Sequence, residues 1–114
     1  MHDDTRAAWR RLIERLDTQA DRNARWRVLM AAHVLGQDRL PLHWNSHWRM
    51  LGQAWRERDA GEVAGQVLRL ALTPLGHALG RLPAGNVGRA TVNAFKAMQP
   101  PPDVAALVDW ARRR

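Results

Sequence analysis

The chain has 114 residues, of which 46% are hydrophobic, and its formal net charge is +7. A chain of this length is expected to form one domain around one buried core. It contains no cysteine. Disulfides, thiolate metal sites and a cysteine nucleophile are therefore excluded.

Arginine supplies almost all of the positive charge, and guanidinium groups suit phosphate. Two features argue against nucleic acid as a partner. The arginines are spread along the chain and mixed with acids, as in Arg56-Glu57-Arg58-Asp59. The sequence also has no tyrosine and a single phenylalanine to stack on bases.

The N-terminal sequence is charged from Asp3 onward and lacks the apolar stretch of a signal peptide. The longest apolar run, 67–79, contains Arg69 and is too short to cross a bilayer. These features predict a cytoplasmic protein without a membrane partner.

Two helices are predicted in the first 36 residues. The first begins after one of the capping residues 3–5, and a turn falls within the polar stretch 17–25. The second ends at Gly36, which suits a helix C-terminus. Apolar residues at helical spacing form one stripe on each helix: Trp9, Leu12, Ile13 and Leu16 on the first, and Trp26, Leu29, Met30, His33 and Val34 on the second.

A third helix is predicted from Pro41, because proline suits the first helical turn. Its tryptophans are expected to pack inside, and a second stripe containing two histidines runs beside them. The first stripe is Trp44, Trp48, Leu51 and Trp55, and the second is His43, His47, Met50 and Ala54.

A fourth helix follows a turn at residues 59–61, and Pro74 is expected to kink or end it. Its predicted inward residues are Val63, Ala64, Val67, Leu68, Leu70, Ala71 and Leu75. Residues 81–102 are rich in proline and glycine and are predicted to form an irregular connection. Residues 103–113 are predicted to form a short C-terminal helix.

No segment alternates in the manner of a strand, so the fold class is all-α, in a single helical domain over residues 1–114. A faint repeat has tetratricopeptide-like spacing and predicts two stacked antiparallel helical hairpins. Such hairpins favour a protein–protein interaction module that binds a helical peptide or a second copy of the chain, as a homodimer. The repeat consists of Trp48, Leu51, Gly52, Trp55, Ala64, Leu68 and Ala71.

Histidines give the sequence its strongest chemical signal. His43 and His47 are four residues apart, so they share one face of a helix. The short connection between the second and third helices brings His33 near them. Antiparallel pairing of the third and fourth helices adds His77, and either His77 or Gln37 could be a fourth ligand. Neutral imidazoles suit a divalent transition metal, zinc or copper foremost.

Three alternatives to a metal-handling or metal-sensing protein remain open. The histidines can be core residues that are each hydrogen-bonded locally. The interaction module needs no metal. A metal-dependent hydrolase would need an open coordination position and a nearby acid. Glu62, the only acid in the apolar part of the fourth helix, could be that base or could instead be an outer partner of a ligand. We expect that the protein is not an enzyme. A Ser46–His47 pair is disfavoured, because adjacent residues on a helix point apart.

Four blocks of sequence support a resemblance to a known family. They are AAHVLGQ at 31–37, the His43 and His47 pair followed by Met50-Leu51, GEVAGQVLRL at 61–70 and LPAGNVG at 82–88. With these blocks the sequence resembles an uncharacterised bacterial family, the domain-of-unknown-function family 3703. The resemblance implies that the histidines and the PxGNxG segment are features of the group, and it carries no activity with it.

Overall fold

The computed structural model describes residues 4–80, 86, 88–89 and 99–113, and these residues form an all-helical fold. Consecutive helices pack against one another from α1 to α4, and α5 packs against α2 and α1. The prediction of an all-α fold with helical hairpins is therefore confirmed. The helices are α1 Asp4–Leu16, α2 Arg22–Gly36, α3 Leu40–Glu57, α4 Ala60–Leu79 and α5 Pro102–Arg113.

The helix ends follow from capping chemistry. Asp21 and Asp59 precede α2 and α4, and each side chain accepts a hydrogen bond from a backbone N–H three residues later. Pro41 lies in the first turn of α3, as predicted. The turn before α4 falls at Arg58 and Asp59, slightly earlier than expected, with Arg58 in the left-handed conformation.

The hydrophobic core lies where α1, α2 and α5 meet the inner face of α3. Polar atoms within it are paired. The Trp9 indole donates to the Ser46 hydroxyl over 2.9 Å, and Ser46 donates to the Leu42 carbonyl. Ser46 is therefore a packing residue, in agreement with the argument against a Ser46–His47 pair. The largest fully buried apolar side chains are Leu12, Val28, Leu29, Met50 and Val104.

Of the two predicted effects of Pro74, an end to the fourth helix is wrong, because α4 continues to Leu79, and a kink stays a prediction. Proline has no N–H, so the carbonyl four residues earlier, that of Leu70, loses its helical donor. The indole N–H of Trp44 on α3 donates to that carbonyl over 2.8 Å. The neighbouring helix thus satisfies the group that the proline leaves unpaired.

The predicted inward residues of α3 and α4 are wrong in part, since Leu70 is buried and Val63 packs against the core but most of the others lie outside. On α3 the histidine stripe is buried, whereas Trp48 is 50% exposed and Trp55 73% exposed. On α4 the buried face is mostly polar, and the apolar face lies outward. Polar side chains can be buried there because they hydrogen-bond to one another and to the histidines. The buried residues of α4 are Glu62, Gln66, Arg69, Leu70 and Thr73, and its exposed large ones are Val67, Leu68, Leu75 and Leu79.

Most of the predicted irregular connection, 81–85, 87 and 90–98, lies outside the described residues. Within it, Asn86, Gly88 and Arg89 are described and are not helical. The C-terminal helix is confirmed and begins one residue early, at Pro102. No described helix is long and apolar enough to cross a membrane.

Two helical glycines test the packing of α2 against α3. At Gly36 an added Cβ would lie 2.8 Å from the Leu42 Cβ and 3.1 Å from the Trp9 ring, whereas Gly52 on α3 is exposed and an added Cβ there meets nothing within 4 Å. We expect Gly36→Ala to lower the free energy of unfolding by about 1–3 kcal/mol through overpacking.

The matched control, Gly52→Ala, should raise the free energy of unfolding by about 0.5–1 kcal/mol, since alanine is the better helix former. Urea denaturation followed by circular dichroism measures both changes. If both substitutions changed the free energy of unfolding by the same amount and in the same direction, the close approach of Gly36 to Leu42 and Trp9 would be contradicted.

Candidate metal centre

Three histidine rings from two helices meet at one buried point. The Nε2 atoms of His33 on α2 and of His43 and His47 on α3 lie 3.0 Å (33–43), 3.1 Å (33–47) and 3.3 Å (43–47) apart. All three side chains are buried, and they form a group whose ligand atoms could hold a metal ion. The sequence prediction that these three histidines converge is confirmed.

The outer nitrogens of two rings face oxygen atoms. His33 Nδ1 lies 2.7 Å from the carbonyl oxygen of Asn86, and His47 Nδ1 lies 2.7 Å from Oε1 of Gln66. Both oxygens can only accept, so each Nδ1 carries the proton and donates it. A neutral imidazole has one N–H, so the Nε2 atoms of His33 and His47 present lone pairs to the common point.

His43 has a different outer neighbour. Its Nδ1 lies 2.9 Å from Nε2 of His77, at the end of α4. His77 is therefore beside the outer nitrogen of His43 and not beside the three converging nitrogens. Gln37, the other predicted fourth ligand, is buried, and its backbone hydrogen-bonds to His43. A role for His77 or Gln37 as a ligand stays a prediction.

The nitrogen triangle has the dimensions of a metal site. Three nitrogens bound at about 2.0–2.1 Å to one ion with tetrahedral angles lie about 3.3–3.4 Å apart. The observed separations of 3.0–3.3 Å are slightly shorter, so a small outward movement of the rings would accommodate an ion. Three protein nitrogens leave one position of a tetrahedral ion to a further ligand.

A buried polar chain supports His47 from α4. The amide nitrogen of Gln66 donates to Oε2 of Glu62 over 2.7 Å and to the Gly88 carbonyl over 2.9 Å. Because both partners are acceptors, the amide orientation is fixed and Oε1 must face His47. Glu62 also accepts from Arg89 over 2.8 Å, and the Arg89 guanidinium lies over the Trp26 ring.

Gly88 lies directly against the His33 ring. Its φ is +87°, and an added Cβ would lie 2.6 Å from Cδ2 and 2.9 Å from Nε2 of that ring. Its backbone N–H donates to the Asn86 side chain, while the Asn86 carbonyl accepts from His33. Asn86 and Gly88 of the PxGNxG block thus hold the His33 ring in place.

Sequence reasoning missed three residues that orient the imidazoles: Gln66, Asn86 and Gly88. The signal for Gln66 was a polar stripe at positions 62, 66, 69 and 73 in an otherwise apolar helix, which is the spacing of one helical face. For Asn86 and Gly88 the signal was a glycine-rich turn, which indicates a left-handed residue or a close backbone approach but not its target.

Electrostatics keep the cluster uncharged. Burial lowers the pKa of His43 to about 3, and the repulsion that a second proton on neighbouring His47 or His77 would meet lowers it further. Burial likewise lowers the pKa of His47 to about 4, although the hydrogen bond with Gln66 raises it. The pKa of His33 is also well below its ordinary value, first because of burial and then because of its two histidine neighbours.

Stability should consequently depend on pH. In the unfolded chain these histidines take up protons near pH 6.5, whereas in the folded chain they do so only at far lower pH. Their stabilising contribution is therefore complete above about pH 6.5 and is lost as the pH falls below it, by about 1.4 kcal/mol per pH unit for each group.

We expect metal-free protein to lose about 2–4 kcal/mol of unfolding free energy between pH 7 and pH 5.5, above the range in which most carboxyl groups titrate. Urea denaturation with a chelator present measures this loss. An unchanged urea midpoint between the two pH values would contradict a buried, neutral cluster.

Comparison with known proteins identifies a family. A family model described as "Protein of unknown function (DUF3703)" matches residues 3–108, which is most of the chain. No curated protein and no solved structure matches the sequence. The chain belongs to the DUF3703 family.

Proposed function

We propose that this protein is a small cytoplasmic metal-binding protein that handles or senses a transition-metal ion through His33, His43 and His47. One observation carries the proposal: three buried Nε2 atoms lie within 3.3 Å of one another. Neutral imidazoles are ligands for zinc and copper, so these two metals are the first candidates.

The main alternative is a set of ordinary core histidines, each bonded to its own local oxygen. His33 and His47 do have such bonds, but only at Nδ1. Their Nε2 atoms face each other and His43 without an N–H donor of their own. Lone pairs facing one another in a buried site repel, whereas a cation at their centre is attracted to all of them. The arrangement therefore favours a metal site over a structural cluster.

A hydrolase is less well supported. A metal-bound water needs a nearby acid or base to move a proton. Glu62, the predicted candidate, accepts from Gln66 and Arg89 and reaches the histidines only through Gln66. Its hydrogen bonds support a role in orienting His47, through the Gln66 amide, more than a role in proton transfer.

A second candidate function is an interaction module. The observation that favours it is the exposure of Trp48 and Trp55 on α3, since large exposed apolar side chains are typical of contact surfaces. The two candidates are compatible, because the tryptophans lie on the outer face of α3 and the histidines on its inner face. If the protein binds no metal, the interaction module is the candidate function that remains.

The test is metal binding by protein purified without an affinity tag. We expect one zinc or copper ion per chain in elemental analysis after metal loading and removal of excess. The double variant His43→Ala/His47→Ala should lose at least about 100-fold in affinity, since two of three ligands are gone. Competition with a chromophoric chelator measures the affinities.

The control is Asn45→Ala. Asn45 lies between the two histidines on α3 but is exposed, so its loss should leave affinity unchanged. Circular dichroism establishes that the variants remain helical. Absence of binding to the parent protein at micromolar metal, or equal affinities of the parent and the double variant, would overturn the proposed function.

A further inference from the structure

The outer face of α4 is apolar and exposed along most of its length. Leu68 is 54% exposed and Leu75 53% exposed, and Val67 and Leu79 are similar. Among the described helices, α4 makes its extensive contacts with α3 alone. Among the residues that the structure describes, none covers this row of large aliphatic side chains, and an exposed apolar surface of this kind is typical of a contact site.

The same face carries no charge. Between Val63 and Leu79 the only charged residue is Arg69, and Arg69 is buried on the opposite face. The outer face of α1 differs, because it exposes Arg6, Arg10 and Glu14. In a chain of net charge +7, an uncharged helix face is the place where a second copy can approach with least repulsion.

The spacing along this face is that of a helix-pairing seam. Small and large residues alternate at intervals of four, three, four and three positions, which are the a and d positions of a heptad. All five side chains are exposed. The seam, named here the α4 seam, consists of Ala64, Leu68, Ala71, Leu75 and Ala78.

The α4 seam reads the same from both ends. Alanine, leucine, alanine, leucine, alanine is a palindrome about Ala71, so an antiparallel copy presents the same order of small and large residues. A two-fold interface requires such self-complementarity, because each copy uses one and the same patch. Alanine at alternate positions also lets the two helix backbones approach closely, with Leu68 of each copy packing near Leu75 of the other.

A groove at the start of α4 fits the other end of an antiparallel copy. It has a volume of about 540 Å³ and lies beside Ala64, the first residue of the seam. Antiparallel pairing about Ala71 brings Leu79 of the second copy to this end, and Leu79 is 60% exposed in the single chain. The groove is lined by Trp55, Arg58, Ala60, Val63 and Ala64.

We propose that two copies of this chain associate through the α4 seam, with their α4 helices antiparallel about a two-fold axis near Ala71. The metal site lies on the opposite face of α4, where Gln66 contacts His47. Association is therefore independent of metal, and each proposal can fail without the other.

The experiment measures the mass of the full-length protein by sedimentation equilibrium from 1 to 200 µM, with a chelator present to exclude bridging by metal. The parent should be a dimer. Leu68→Glu and Leu75→Lys should each raise the dissociation constant at least about tenfold, because both copies then place a charge of the same sign in an apolar interface. Ala7→Glu, at an exposed position of α1, is the matched control and should change nothing.

The double variant Leu68→Glu/Leu75→Lys determines the orientation. An antiparallel pair brings residue 68 of one copy near residue 75 of the other, so opposite charges meet and the dimer should recover relative to either single variant. A parallel pair would place like charges together at both positions, so the double variant would form a weaker dimer than either single variant. Ala71→Phe should also weaken the dimer, because its larger side chain separates the helices even though it is more hydrophobic.

Three outcomes would overturn the proposal. They are a monomeric parent at 200 µM, a dimer that both single variants leave intact, and a double variant weaker than either single variant. Circular dichroism of each variant distinguishes loss of association from loss of folding. A variant that unfolds is replaced by Leu68→Gln or Leu75→Gln, which should weaken the dimer in the same direction.

Discussion

The hydrogen bonds at the outer nitrogens of the histidines determine what the site can do. His33 and His47 each donate from Nδ1 to an oxygen that can only accept. Each ring must then present a lone pair from Nε2, and Nε2 of the third ring, His43, lies within 3.3 Å of both of these atoms. Burial keeps the rings neutral, because protonation would bring uncompensated charge into the interior. These contacts produce a group of three nitrogens that could hold a metal ion.

The orientation of α4 follows from the same constraint. To fix His47, the helix must turn Gln66 inward, and Gln66 in turn requires the acceptor Glu62 one helical turn earlier. Once this polar face is buried, most of the large apolar residues of α4 face outward. The exposed leucines are thus a consequence of the buried polar chain, and they create the surface that we assign to a second copy.

The sequence predicts much of the fold. Capping residues, Gly36 and Pro41 fix the order and the approximate ends of the helices, and the short connection between α2 and α3 brings His33 to His43 and His47. Periodicity also predicts that two stripes run along α3. It cannot say which stripe is inside, because histidine and tryptophan are both found at intermediate burial. The exposed tryptophans and the inverted α4 follow from tertiary contacts that no local pattern contains.

The parts that the sequence did not predict involve backbone atoms and distant partners. The backbone carbonyl of Asn86 orients the His33 ring. Any residue type could supply that carbonyl, so the amino-acid sequence gives no signal for it. Gly88 signals an unusual backbone conformation, but not that His33 is the ring it contacts. Pro74 was expected to kink or end α4, yet the helix continues, and the Trp44 indole from the neighbouring helix satisfies the carbonyl that the proline leaves without a donor.

The most direct test of this account is the protonation state of the imidazole nitrogens. Proton–nitrogen correlation NMR on ¹⁵N-histidine-labelled, metal-free protein at neutral pH distinguishes a protonated Nδ1 from a protonated Nε2. We expect His33 and His47 to carry the proton on Nδ1 and to have an unprotonated Nε2. Addition of zinc should then change the chemical shifts of Nε2 far more than those of Nδ1. Protons on Nε2 of these two rings, or no response to metal, would contradict the account.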